Sequence, residues 1–233
     1  MKNNQAQQFC KDHNLQQLDQ GLLRQAFTHS SAGKPNNERL EFLGDAVLGC
    51  VIAELLFQAL PNAKEHYLTR LRAHLVNKQS LSILAESLNF SDMVILGQGE
   101  RSTGGKHRRS ILADALEAVI GAVHLDMGYQ AVTDFVRAIF TDMLNDLPTE
   151  EDLKAPKTRL QEWLQKRGQP IPEYAIVDET GKAHAKTFTV EAKIEIKNKA
   201  RTESFSQQAR GSSRRAAEQQ AANDLLEQIR QNL

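Results

Sequence analysis

Apolar positions recur with helical spacing through most of the chain. Leu40, Leu43, Val47, Val51 and Leu55 mark one helical stripe, Leu68, Leu71 and Leu75 a second, and Leu81, Leu84 and Leu88 a third. Ile111, Ala115, Ala118, Val119 and Ala122 predict a fourth helix, and Val132, Val136, Ile139 and Met143 a fifth. No long alternating strand appears between residues 15 and 147. The periodicity stops at DLPTEEDLKAPK, residues 146–157, an acidic stretch with two prolines that reads as a linker.

Beyond it the pattern changes. TRLQEWLQKRG is an amphipathic helix ended by Gly168, and Pro170 and Pro172 then impose extended backbone. In TFTVEAKIEI, Phe188, Val190, Ala192, Ile194 and Ile196 alternate with Thr189, Glu191, Lys193 and Glu195, which predicts a half-buried strand. A last helix is expected from near Ser212, with Ala217, Ala221 and Leu225 on its buried side. The expected architecture is therefore an all-α helical domain (residues 1–147), a linker (148–156) and a small α+β domain of order α-β-β-β-α (157–230).

With 233 residues, 40% of them hydrophobic and 25% charged, the chain is globular and long enough for a real core. No apolar run approaches the ~20 residues that cross a bilayer, and MKNNQAQQFCKDHNL offers no signal-peptide core, so a cytosolic protein with no membrane partner is expected. Cys10 and Cys50 follow no metal-ligand spacing, and no disulfide is expected between them. The net charge of zero conceals an asymmetry: residues 1–155 carry a net −4 and residues 156–233 a net +4. One half thus suits a polyanion, while the other supplies carboxylates.

Those carboxylates stand where apolar neighbours ask to be buried. In NERLEFLGDAVLGC, Glu38, Glu41 and Asp45 fall within about 60° of one helical face, and in SILADALEAVIGAV, Asp114 and Glu117 share another. Burying unpartnered carboxylates is costly, and two acidic helices can instead share a hard divalent cation, Mg²⁺ being the natural candidate. Spacing alone leaves capping open: Glu38 and Asp114 both follow potential helix starts, where an acid favours the dipole.

The segment NERLEFLGDAVLG resembles the signature of ribonuclease III, and the similarity continues through the Gly-Gly and basic residues into SILADALEAVIGAV. KTRLQEWLQKRG, GKAHAKTFTVEAKI and GSSRRAAEQQAA resemble a double-stranded RNA-binding domain, so that nearly the whole chain is covered in family order. The resemblance implies that Glu41, Asp114 and Glu117 ligate Mg²⁺, for which Mn²⁺ can substitute, and that Asp45 and Glu117 are catalytic. It assigns Glu38 and Glu65 to secondary acidic positions and implies hydrolysis of double-stranded RNA to 5′-phosphate and 3′-hydroxyl ends with short 3′ overhangs. Processing of ribosomal precursors and structured messenger RNA would follow, by a homodimer, because cutting both strands takes two acidic clusters.

Several residues carry two readings. Spacing puts Phe42 in the core, whereas in the family the matching aromatic plugs a pocket on the partner subunit. Thr28 and His29 recur in the family but suit a structural role. The Gly-rich, basic stretch GQGERSTGGKHRRS lacks the ending of a nucleotide-binding P-loop and reads as a mobile loop that contacts phosphate. Lys64, Glu65, His66 and Tyr67 depart from the family's usual Asp-Glu-Gly, as His107 and Arg109 do from its common choices nearby.

In the second domain, Ser213, Arg214 and Arg215 combine cationic side chains with the N–H groups of a helix start, a suitable phosphate clamp. By resemblance, Thr158, Gln161, Glu162 and Gln165 face one minor groove and His184 the next, while Trp163 is core. A non-catalytic RNA-binding assembly factor is the rival reading, and all the core acids being present counts against it. A phosphohydrolase of small molecules leaves the second domain unexplained.

Overall fold

The computed structural model describes residues 3–182, 186–197 and 202–232. The chain divides into two compact units between Pro148 and Thr149.

In the first unit, α1 (Asn3–Asp12), α2 (Gln20–Ala26), α3 (Glu38–Ala59), α4 (Glu65–Leu75), α5 (Lys78–Ser87), α6 (Phe90–Met93), α7 (Gln98–Ser102), α8 (Arg109–Ile139) and α9 (Thr141–Asn145) follow one another with short 3₁₀ turns at Ser30–Ala32 and Gly105–His107. The centre is the pairing of α3 with α8, the most extensive helix packing in the unit. It is close because small residues line it: a β-carbon on Gly121 would come within 2.2 Å of the Leu40 carbonyl oxygen. Leu48, Val51 and Ile52 of α3 and Leu116, Val119 and Ile120 of α8 are almost wholly buried around this crossing. Each such side chain contributes roughly 1.5–3 kcal/mol by leaving water. A second nucleus is aromatic: Phe9 of α1 meets Phe27, Phe90 and Phe135 edge-on at 6.3, 5.5 and 6.1 Å.

Local chemistry starts and stops these helices. Asp19 caps α2 by accepting from the Leu22 amide, and Asn77 caps α5 by accepting from Ser80. The two helices expected around 111–122 and 132–143 are present as the two halves of α8, which breaks at Gly128 (φ 82°), a conformation open to glycine, and Met143 falls in α9. The basic stretch expected as a mobile loop is folded: it forms α7 and a 3₁₀ turn, clamped by an ion pair of Arg108 with Glu100 at 2.6 Å. Helix α1 has no counterpart in the apolar spacing, because only one side of it, through Ala6, Phe9 and Cys10, is buried. No described helix is long and apolar enough to cross a membrane.

The second unit holds α10 (Pro156–Gln165), an antiparallel sheet of order β1-β2-β3 made by β1 (Glu173–Thr180), β2 (Thr187–Lys197) and β3 (Thr202–Gly211), and α11 (Arg214–Asn232). The alternation of β2 buries Val190, Ala192, Ile194 and Ile196, the last three in one cluster with Leu160, Leu164, Leu225 and Ile229 of the helices. Trp163 packs partly buried on this core with the Arg167 guanidinium stacked 3.8 Å from its ring. Ahead of α10, residues 149–155 form a turn in which the Thr149 hydroxyl donates to Asp152 at 2.6 Å. The last helix starts at Arg214, near Ser212 as expected, and the Ser213 hydroxyl caps it by accepting from the Ala216 amide at 3.1 Å.

Candidate functional site

Helix α3 is anchored at its start. The amide of buried Asn37 donates to the Thr28 carbonyl, and the Asn37 carbonyl accepts from the Glu41 amide, each at 2.8 Å. This fixes where Glu41 emerges, and the α3–α8 crossing then sets it opposite Asp114 and Glu117. Carboxylate oxygens of these three residues lie within 4.8 Å of one another, the one such group among the described His, Cys, Asp and Glu side chains.

Electrostatics follow from this geometry. Glu117 is 8% exposed, and burial, reinforced by the charges of Asp45, Asp114 and Glu41, pushes its carboxyl up to about 7. Burial and then Asp114 raise Glu41 in the same direction. Opposing them is Lys78, whose ammonium donates to Asp114 Oδ1 at 3.2 Å and is itself held charged by that bond. Nothing in local spacing connects residue 78 with residue 114, and only its place just after the Asn77 cap of α5 sets it apart.

The other acids stand around this group rather than in it. Asp45 is exposed on α3, outside the 4.8 Å set, although its charge is felt by Glu117 and Glu41. Glu38, the first residue of α3, is exposed and accepts from Asn36 Nδ2 at 3.1 Å. Glu65 opens α4 and accepts from the Thr69 hydroxyl at 2.8 Å. Phe42 is not core: it is 81% exposed, because Leu40, Gly44, Val47 and Leu48 take the buried face of α3 and leave residue 42 on the other side. Phe42 itself helps line a mainly apolar groove of about 600 Å³, together with Leu22, Leu40, Leu43 and Leu125 and with Gln25, Glu38 and Arg39. Thr28 and His29 have structural partners: Thr28 Oγ1 donates to the Arg24 carbonyl, and His29 receives the Ser31 amide on Nδ1.

In the second unit, Gln161 and Gln165 are exposed on α10, and Thr158 and Glu162 half-buried. Lys154 grips Glu162 at 2.5 Å and Glu151 at 3.0 Å. At the start of α11, Arg214 Nε donates to Glu218 at 2.9 Å, and Lys157 holds the other oxygen of the same carboxylate. Lys157 first and Arg214 second keep Glu218 below the usual carboxylate range. Arg215 and Ser213 are exposed. His184 lies outside the described residues.

Residues 19–143 match the Ribonuclease-III-like family, and residues 156–229 match the double-stranded RNA binding motif. The chain belongs to the ribonuclease III family. It is 46% identical to Ribonuclease 3 of Xanthomonas oryzae pv. oryzae over 91% of both chains, and 46% identical to that of Methylococcus capsulatus over 91% of this chain and 89% of the relative. The crystallised nuclease domain of ribonuclease III from Campylobacter jejuni is 45% identical and superposes with a TM-score of 0.56, covering 61% of this chain and 97% of that one. Another structure of the same domain, described as flexible in a region involved in dimer formation, gives 0.54 at 45% identity, covering 57% and 94%. The chain is thus an enzyme of the ribonuclease III family, a nuclease domain followed by a double-stranded RNA binding motif. Three hard oxygen donors, one of them driven toward protonation by burial and then by its acidic neighbours, form a set that suits a hard divalent cation.

Proposed function

We propose that this ribonuclease III cleaves both strands of double-stranded RNA by divalent-ion-dependent hydrolysis, leaving 5′-phosphate and 3′-hydroxyl ends with short 3′ overhangs. The observation that carries this reading is the gathering of Glu41, Asp114 and Glu117 within 4.8 Å in a chain that also bears a double-stranded RNA binding motif. Mg²⁺ is the proposed ion, with Mn²⁺ able to replace it, and Glu41, Asp114 and Glu117 are its proposed ligands. When bound, the ion supplies a water of lowered pKa and neutralises charge on the phosphate. Glu117 must give up its proton for the ion to enter. Asp45, on the solvent side, is suited to orient water toward the phosphate, and Glu38 and Glu65 to secondary contacts with the strand.

In the second unit, Thr158, Gln161, Glu162 and Gln165 would read the minor groove through 2′-hydroxyls, and Ser213, Arg214 and Arg215 would grip a phosphate at the start of α11. His184 belongs to the same proposal by resemblance. Two catalytic clusters, one per strand, call for a homodimer, and an exposed Phe42 beside an apolar groove on the same surface is what a self-complementary interface requires. Ribosomal precursors and structured messengers in the cytoplasm are the proposed substrates.

The test is cleavage of a labelled RNA hairpin with and without Mg²⁺, by the native protein and by Glu117→Gln. Metal-dependent cuts that vanish in the variant, with hairpin binding retained, are the expected result. Cleavage that persists after chelation, or in Glu117→Gln, would contradict the assignment.

A further inference from the structure

Lys78 is the first residue of α5, where a cation opposes the helix dipole, so its charge does not serve the helix that carries it. Its backbone is nevertheless held firmly. Asn77 Nδ2 donates to the His74 carbonyl at 2.6 Å, the Ser80 hydroxyl reaches the same carbonyl at 2.8 Å, and the Ser80 amide donates to Asn77 Oδ1 at 2.9 Å. Only the flexible four-carbon stem is left to move, and it ends 3.2 Å from Asp114 Oδ1. The two partners differ in wetness: the Lys78 side chain is 68% exposed and that of Asp114 only 20%. An ion pair this open adds little to fold stability. Its effect falls on the carboxylates, one of whose oxygens it occupies.

We infer that Lys78 is the resident counter-cation of the triad: it holds Asp114 while no divalent ion is bound and must yield when one binds, so that residue 78 sets the ion concentration at which the site fills. The inference rests on the reading of Glu41, Asp114 and Glu117 as a divalent-ion site. A compact, strongly hydrated ammonium on a long stem suits such an exchange, since it can withdraw into water without disturbing the backbone that carries it. Without it, the triad loses a cation that offsets its negative charge and attracts a dication more strongly when one is offered.

The experiment uses the full-length protein, stripped with chelator and free of RNA, titrated with Mn²⁺ by calorimetry and melted with and without the ion. Lys78→Met keeps most of the stem and removes the charge. It should bind Mn²⁺ roughly three- to tenfold more tightly than the native protein. It should also gain more thermal stability on Mn²⁺ addition than the native protein does, whereas Lys78→Arg should stay within about twofold of native affinity. Unchanged or weaker Mn²⁺ binding by Lys78→Met overturns the inference. Glu117→Gln in the same titration separates the two levels: if the native protein takes up no Mn²⁺, or this variant takes it up as well as the native one, the divalent-ion reading itself fails and the inference about Lys78 goes with it.

Discussion

A β-carbon added to Gly44 would lie 1.7 Å from the carbonyl oxygen of Glu117. The backbone of α3 therefore touches that of α8 at the residue bearing the most perturbed acid of the triad, and Glu41 sits one turn earlier on the same helix. Closeness here is what lets two helices share one group of oxygens. Gly44→Ala forces the helices apart and should destabilise the nuclease unit by about 3 kcal/mol or more, the upper end for overpacking. Gly49 is the control, because its β-carbon would meet nothing within 4 Å. Gly49→Ala should be neutral or stabilise by up to about 1 kcal/mol. Chemical denaturation of the two variants checks this, and equal stabilities would count against the close crossing.

Glu117 gives the ion-free protein a pH dependence of definite sign. Its native carboxyl titrates near 7 against an ordinary value of 4.5, so between these limits the folded state binds a proton that the unfolded state has released. Stability consequently falls as pH rises through this window and stays low above it, by the order of 2–3 kcal/mol. In chelator, the native protein should melt several degrees higher at about pH 5.5 than at about pH 8, after subtraction of the same difference measured for Glu117→Gln. Mg²⁺ added at the higher pH should recover the loss, since the ion replaces the proton. A native profile that matches that of Glu117→Gln would exclude a buried, crowded carboxyl.

How much of this is legible in the sequence depends on the range of the interactions. The helical stripes, the alternation of β2 and the acid spacings are local, and the elements they predict are present. What α3 does with its outer face is not local. Apolar residues occupy several faces of the helix, with Leu43 and Phe42 as hydrophobic as Leu40 and Val47, so periodicity cannot say which side meets α8. Spacing places Phe42 in the core for that reason, and the glycine crossing at Gly44 and Gly121 is what turns it outward. Within GQGERSTGGKHRRS the Glu100–Arg108 pair ties α7 to the start of α8, and Ser213 caps α11, interactions that composition alone does not rank. Lys78 carries no local signal, because its partner is 36 residues away.

An exposed Phe42 beside a groove lined by Leu22 and Leu125 predicts self-association that depends on both. Phe42→Asp places a charge in what would become a desolvated interface and should raise the dimer dissociation constant by roughly 100-fold or more, with the fold intact because residue 42 has no place in the core. Leu125→Asp, on the groove side, should act in the same direction. Sedimentation measured over a range of protein concentrations reads both. Dimers that persist in both variants would move the proposed interface elsewhere.

Arg214 and Arg215 differ in what already holds them, and RNA binding should register the difference. Arg214 shares Glu218 with Lys157, so part of its charge is compensated before any phosphate arrives, whereas Arg215 stands exposed at the positive end of α11. Removing the cation that pairs with one phosphate should reduce the slope of log K against log salt by about 1. Arg215→Ala is expected to show that change in full, and Arg214→Ala a smaller one. At low salt and saturating hairpin, both variants should cleave at close to the native rate, because neither residue lies in the unit that carries the triad. A salt slope unchanged in the double variant would remove the start of α11 from the RNA interface, and a diminished cleavage rate at saturation would give these arginines a part in the chemistry.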